Sequence, residues 1–129
     1  IKLQHLGYVL TFTSVISLYN WTTFDQVVSY FKNNLKSDVT KMGFINCHEP
    51  SYLSARVLPE HLKVKGANIF KRLKAEVNPE RCQEVVDWVM DQDWTGEKNN
   101  FYVFSGYTDY ARDDNFVKVF PELRELVNV

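Results

Sequence analysis

The fold is decided by residues 7–47, which read GYVLTFTSVISLYNWTTFDQVVSYFKNNLKSDVTKMGFINC. Residues 7–19 are rich in β-branched and aromatic side chains, which predicts a long strand, and residues 40–47 predict a second one. Between them, Thr22 would cap a helix. Its apolar stripe would comprise Phe24, Val27, Val28, Phe31 and Leu35. A strand, a helix and a strand in this order form a βαβ unit, so we expect the strands to be parallel.

Helices are predicted for most of the remaining chain. Pro59 suits the first turn of a helix over residues 60–76. The buried side of that helix would hold Leu62, Ile69, Leu73 and Val77. Asn78 and Pro79 form a cap and a first helical position for the next helix, and residues 94–100 indicate a turn-rich loop.

These elements predict a single α/β domain over residues 1–129, with a βαβ start and a mainly helical C-terminal half. A length of 129 residues fits one domain. However, two strands make an incomplete sheet, because independently stable sheets usually have about four strands or more. We therefore expect another segment or a second copy to complete the sheet. The start at Ile1 supports the expectation that the chain is a piece of a longer protein.

Composition excludes several classes of partner. The 15 basic and 16 acidic side chains nearly balance, so no basic field exists to hold nucleic acid. No apolar run approaches the ~20 residues that span a bilayer, and no signal-peptide pattern is present. The two cysteines suit neither a disulfide framework nor a metal site. We therefore expect a cytoplasmic protein with no membrane partner.

Recognisable catalytic, metal-binding and phosphate-binding patterns are absent from the sequence. Cys47 and His48 are neighbours, but adjacent side chains on a strand point to opposite faces and cannot form a nucleophile–base pair. The histidines and glycines are too scattered for a metal site or a phosphate loop. One basic run lies on the second predicted helix, at Lys63, Lys65, Lys71, Arg72 and Lys74. We interpret it as a solvated helix face, with an RNA or phosphate contact as the less favoured alternative.

Polar side chains follow both predicted strands. Asn20 comes directly after the first strand, and Asn46 and His48 lie at the end of the second. Because ligands of parallel α/β sheets bind outside the carboxyl ends of the strands, these residues are candidates for binding a cofactor or a substrate. The alternative is that they simply form turns, and the sequence leaves both interpretations open.

Several segments together resemble a known family. They are VISLYN at residues 15–20, His48-Glu49-Pro50, SYLSARVLPEHLK at residues 51–63, and GYTDYARDDNFVKVFPELREL at residues 106–126. This arrangement resembles the C-terminal third of radical S-adenosylmethionine proteins of the "twitch" type, which occur in bacteria and large phages. The resemblance runs from about residue 8 to residue 127. It implies the end of a partial (β/α) barrel.

The family binds a [4Fe–4S] cluster through a CxxxCxxC motif in the N-terminal part of its barrel. That motif has no counterpart in this chain, so the resemblance implies no cofactor here; S-adenosylmethionine and the cluster are implied only for an intact parent protein. Asn20, Asn46 and His48 would lie at the functional rim, where they could contact the nucleoside part of S-adenosylmethionine or the substrate.

The resemblance leads to two functional hypotheses. The first is a barrel-completing C-terminal domain of a radical S-adenosylmethionine-type enzyme, not catalytic alone, whose partner is the remaining barrel segment. The second is a stand-alone, non-enzymatic interaction module, encoded for example by a phage, that forms a homo-oligomer through its sheet edge.

Overall fold

The structure is a computed structural model that describes residues 12–127. Strand β1 (Thr13–Ile16) and strand β2 (Gly43–Asn46) form a parallel sheet, with helix α1 (Phe24–Asn33) between them in the chain. Thr13 lies opposite Gly43, and Ile16 lies opposite Asn46. The predicted βαβ start is confirmed.

The rest of the described chain is helical. Helices α2 (Glu60–Leu73), α3 (Pro79–Asp91), α4 (Lys98–Arg112) and the short α5 (Phe116–Val119) follow the sheet. Five 3-10 turns connect or extend the elements: Val39–Lys41, Ser51–Leu53, Ala55–Val57, Thr95–Glu97 and Pro121–Leu126. The predicted α/β class with a helical C-terminal half is therefore confirmed. The loop predicted over residues 94–100 is shorter than expected, because α4 already begins at Lys98.

Both strands are shorter than predicted, each for a local reason. β1 ends at Ile16 because the chain turns there, with Trp21 N–H donating to the Ser17 carbonyl across 3.1 Å. The predicted strand residues 7–11 lie outside the described part. β2 begins only at Gly43, because the Asp38 carboxylate accepts a hydrogen bond from Thr40 N–H and caps a 3-10 turn before it.

The predicted helix starts are right for α3 and wrong for α1. The Asn78 side chain accepts a hydrogen bond from Arg81 N–H and caps α3 as predicted. At α1 the cap position is Thr23, which makes no side-chain cap bond, while Thr22 is buried. The four apolar residues predicted to face the core from the second helical segment are all buried: Leu62, Ile69, Leu73 and Val77.

A stack of aromatic rings joins α1 and α2 beneath the sheet. The Trp21 ring lies 4.8 Å from the Phe70 ring, which stacks 5.0 Å from Phe24. The Trp21 indole N–H donates to the Lys63 carbonyl across 3.0 Å. The ring lies so close to Gly66 that a Cβ atom there would be 2.2 Å from it. Only glycine therefore allows this contact without displacement.

Two buried cations bind the C-terminal end of α3. The Arg56 Nε atom donates to the Trp88 carbonyl across 2.7 Å, and its guanidinium lies 3.5 Å from the centre of the Trp88 ring. The Lys63 ammonium donates to the Gln92 carbonyl across 3.1 Å. These carbonyls lack intrahelical partners and carry the negative end of the helix dipole. The prediction that Lys63 belongs to a solvated face is therefore wrong, because Lys63 is needed at this helix end.

Candidate functional site

Asn20 follows β1 and holds the turn that ends it. Its Oδ1 atom accepts a hydrogen bond from Ser17 N–H across 2.9 Å, and its Nδ2 atom donates to the Val15 carbonyl across 2.9 Å. Both ends of the amide therefore bind the backbone of β1 and its turn. This geometry matches the turn interpretation of Asn20.

Asn46 ends β2 and connects the strand to α3. Its Nδ2 atom lies 3.5 Å from the Val85 carbonyl oxygen. Its Oδ1 atom is buried and has no hydrogen-bond partner among the described residues. A buried polar atom of this kind needs a donor to offset its desolvation. Asn46 therefore offers one acceptor at the carboxyl end of the strand.

His48 lies on the wall of an open cleft of about 1070 Å³. The cleft lies just beyond the carboxyl end of β2, between residues 48–52 and the first turns of α4. Of the three predicted rim residues, His48 lines this cleft, whereas Asn20 and Asn46 do not. The position agrees with the rule that ligands bind beyond the carboxyl ends of parallel strands.

Aromatic side chains form one wall of the cleft. The Tyr52 ring packs 5.2 Å from the Phe104 ring of α4, and Tyr107 follows Phe104 on the same helix with 73% of its surface exposed. Such rings bind apolar groups and, through their faces, cations.

Two carboxylates also line the cleft. Glu97 is the residue before α4, and its carboxylate accepts a hydrogen bond from the Asn100 side-chain amide across 2.8 Å. Glu49 also lines the cleft, and no lysine or arginine does so among the described residues. The cleft is thus acidic and aromatic.

The sequence pointed to only one residue of this cleft as a site residue. Residues 94–100 looked like a loop, so the sequence did not show that Glu97 and Phe104 line the same cleft as Tyr52. No spacing rule could reveal it, because the contact joins the segment after β2 to a helix that begins about 45 residues later.

Among the described residues, the geometry supports neither a reactive thiolate nor a metal site. Cys82 is fully buried, and burial raises the pKa of its thiol to about 11. Partial burial also raises the pKa of the Cys47 thiol, whose Sγ atom lies 3.6 Å from the Glu49 carbonyl oxygen. No group of three or more metal-ligating side chains occurs within residues 12–127. An iron–sulfur cluster held by three thiolates does not fit these residues.

The outer edge of β2 is closed by α3. Alternate residues of β2 bond to β1, as Gly43 N–H does to the Phe12 carbonyl, so the Phe44 carbonyl points to the other edge. There the Arg81 Nε atom donates to it across 2.7 Å. Together with the Asn46 contact to α3, this bond fills the edge that a further strand would need.

Among the described residues, one face of the sheet is open, and the outer edge of β1 is bonded only at the Val15 carbonyl, by the Asn20 side chain. Among the described residues no strand lies beside β1 on its outer side. Val15 and Ile45 are partners in the register, and 52% and 49% of their surfaces are exposed on the face opposite the helices. On the helix side, Ile16 and Phe44 are buried. Within residues 12–127, a further strand could therefore pair beside β1 but not beside β2.

Within residues 12–127, no helix has the length and apolar character that crossing a membrane requires. Comparisons with protein-family models, with curated proteins and with solved structures find no match.

Proposed function

We propose that this chain is the barrel-completing C-terminal domain of a radical S-adenosylmethionine-type enzyme and has no catalytic activity alone. The unequal edges of the sheet are the observation that supports it most. In a partial barrel of parallel strands, the last strand is an end and the strand before it pairs with the preceding part of the chain. β2 has the closed edge of a last strand, whereas beside β1 the described residues place no strand and one side-chain amide, that of Asn20, bonds the Val15 carbonyl.

The two faces of the sheet support the same function. Helices pack on the outside of a (β/α) barrel, and the inner face of each strand meets other strands. Phe44 contacts Phe24 of α1 and Phe70 of α2, as an outward-facing residue would. Val15 and Ile45 form the face without helices, which corresponds to the barrel interior.

The chain's own contribution to cofactor binding is limited. The described residues do not fit the iron–sulfur cluster, which belongs to the remaining barrel segment in this proposal. The location would be cytoplasmic.

The reading frame upstream of the Ile1 codon tests the proposal directly. We expect it to encode a CxxxCxxC segment in the same polypeptide or in an adjacent one. A start codon immediately before Ile1, with no such segment in a neighbouring frame, would overturn it.

A strand-edge variant tests the barrel contact itself. Val15→Pro removes an N–H group from the open edge, because the alternate residues of β1 bond to β2. In the full-length protein, we expect this variant to reduce activity strongly, while Val64→Asp on the exposed side of α2 keeps it. Equal activity of both variants would contradict the proposal.

The open β1 edge also favours a second candidate, a stand-alone module that self-associates. Exposed apolar residues beside an unpaired edge promote pairing with another chain. The solution mass at low concentration distinguishes the two candidates, since a module of this kind would be a stable dimer. We expect the isolated barrel domain to be monomeric or to aggregate without a defined size.

A further inference from the structure

We propose that the cleft beyond β2 binds a ligand that presents a protonated amine next to an apolar group. This inference goes beyond the barrel function and rests on the cleft geometry alone. It holds whether the chain works within a barrel or by itself.

The charges around the cleft select for a cation. The carboxylates on its walls are Glu49 and Glu97; among the described residues no lysine or arginine lines the cleft, although Lys98 follows Glu97 in the chain. A smaller recess adjoins the cleft through Ser51 and Glu97 and brings in Asp93. The cleft and its recess therefore carry three carboxylates, and the buried Lys63 ammonium faces one of them, Asp93. Carboxylates around a cleft repel an anionic ligand and attract a cationic one.

The acidic rim is held in place before any ligand arrives. Asn100 fixes the Glu97 carboxylate by the bond across 2.8 Å. The Asp93 carboxylate accepts a hydrogen bond from Thr95 N–H across 2.8 Å, and its bonds to Thr95 hold its pKa below the ordinary value. Glu97 also offsets the positive end of α4, which would otherwise repel a cation. A rim that is already ordered loses little entropy on binding.

The aromatic wall supplies the second half of the recognition. An amine bound in the cleft close to the Tyr52–Phe104 pair could contact a ring face, an interaction worth about 0.5–2 kcal/mol depending on solvent exclusion. Tyr107 extends the wall outward. An apolar group attached to the amine would cover these rings, so an arylalkylamine or a lysine side chain of a peptide has the right chemistry.

A pair of probes with the same hydroxyphenylethyl group and opposite charges tests the inference. We would titrate the isotopically labelled chain with tyramine and with 3-(4-hydroxyphenyl)propionate, and follow the amide signals of Tyr52 and Asn100 by NMR. We expect saturable shifts with tyramine and about tenfold weaker binding of the acid. N-acetyl-lysine amide forms a third arm: tighter binding than tyramine indicates a peptide side chain, and weaker binding indicates a free amine.

Matched variants locate the site. Glu49→Gln combined with Glu97→Gln should weaken tyramine binding about tenfold or more. Glu80→Gln on α3 removes an equally charged, exposed group outside the cleft and should leave binding unchanged. The retained amide spectrum reports that each variant is folded. Equal binding of amine and acid, absence of saturable shifts, or equal loss in Glu80→Gln would overturn the inference. The upstream reading frame is unaffected by any of these results, so the two proposals fail independently.

Discussion

The Nε atom of Arg81 donates a hydrogen bond across 2.7 Å to the carbonyl oxygen of Phe44. This bond joins α3 to the outer edge of β2 and replaces the hydrogen bond that a neighbouring strand would supply. One side of a two-stranded sheet is thereby satisfied by a side chain. At the other side, beside β1, the described residues place no strand, and the Asn20 side chain bonds the Val15 carbonyl.

Replacing Arg81 should weaken the sheet edge. In Arg81→Met the Phe44 carbonyl loses a charged donor, and hydrogen bonds to charged groups contribute about 1.5–3 kcal/mol. We expect the free energy of unfolding, measured with urea, to fall by about 2 kcal/mol. Arg81 also pairs with Glu84 at the surface, so Glu84→Gln is the control and should cost less than about 0.5 kcal/mol. Equal losses in the two variants would assign the effect to the surface pair.

Replacing each of two helical glycines by alanine should change the free energy of unfolding in opposite directions. Gly66→Ala puts a Cβ atom 2.2 Å from the Trp21 ring, so the ring must move and the chain should lose about 1–3 kcal/mol. Gly106→Ala meets nothing within 4 Å and removes a flexible residue from the middle of α4, so it should gain up to about 1 kcal/mol. Denaturant unfolding of both variants gives the comparison. Destabilisation of similar size at both positions would contradict the close contact at Trp21.

The buried Arg56 should be among the most important polar residues for stability. Arg56→Met leaves the Trp88 carbonyl without its donor and removes the cation from the tryptophan faces. We expect a loss of about 2–4 kcal/mol in the free energy of unfolding, together with a change in tryptophan fluorescence. Lys65→Met removes an exposed cation paired with Glu122, and it should change stability by less than about 0.5 kcal/mol.

Stability should fall at alkaline pH because of Cys82. Burial raises the pKa of this thiol from 9.0 to about 11, so between these values the folded chain keeps a proton that the unfolded chain has lost. The stabilisation is therefore complete below pH 9 and declines as the pH rises to about 11. A change of this size corresponds to about 2–3 kcal/mol. In Cys82→Ala, unfolding measured over this pH range should show a clearly smaller decline, and an unchanged profile would exclude Cys82 as the cause.

Patterns that depend on local spacing predicted much of the fold. The helical recurrence of Leu62, Ile69 and Leu73 was enough to identify a buried face, and Asn78-Pro79 was enough to start α3. These features are decided within one or two turns of chain, where propensity and periodicity act directly. The parallel order of the strands followed from the helix between them.

Features decided by distant contacts escaped prediction. Lys63 looked like a surface residue, because only the fold reveals that its ammonium meets the end of α3. Likewise, β1 looked longer than it is, because the bonds of Asn20 to Ser17 and Val15 outweigh the strand propensity of the residues between. The cleft opposite Tyr52 depends on α4, far along the chain. The resemblance to radical S-adenosylmethionine proteins stays a prediction.

The closed edge of β2 also limits how copies of this chain could assemble. A sheet with two open edges can add strands at both sides and grow into a filament without end. Here Arg81 stops growth at one side, so two copies that met through β1 would have no edge left for a third. Among residues 12–127 a further strand could be added beside β1 only, so the chain would be the last member of any sheet that it joined in this way.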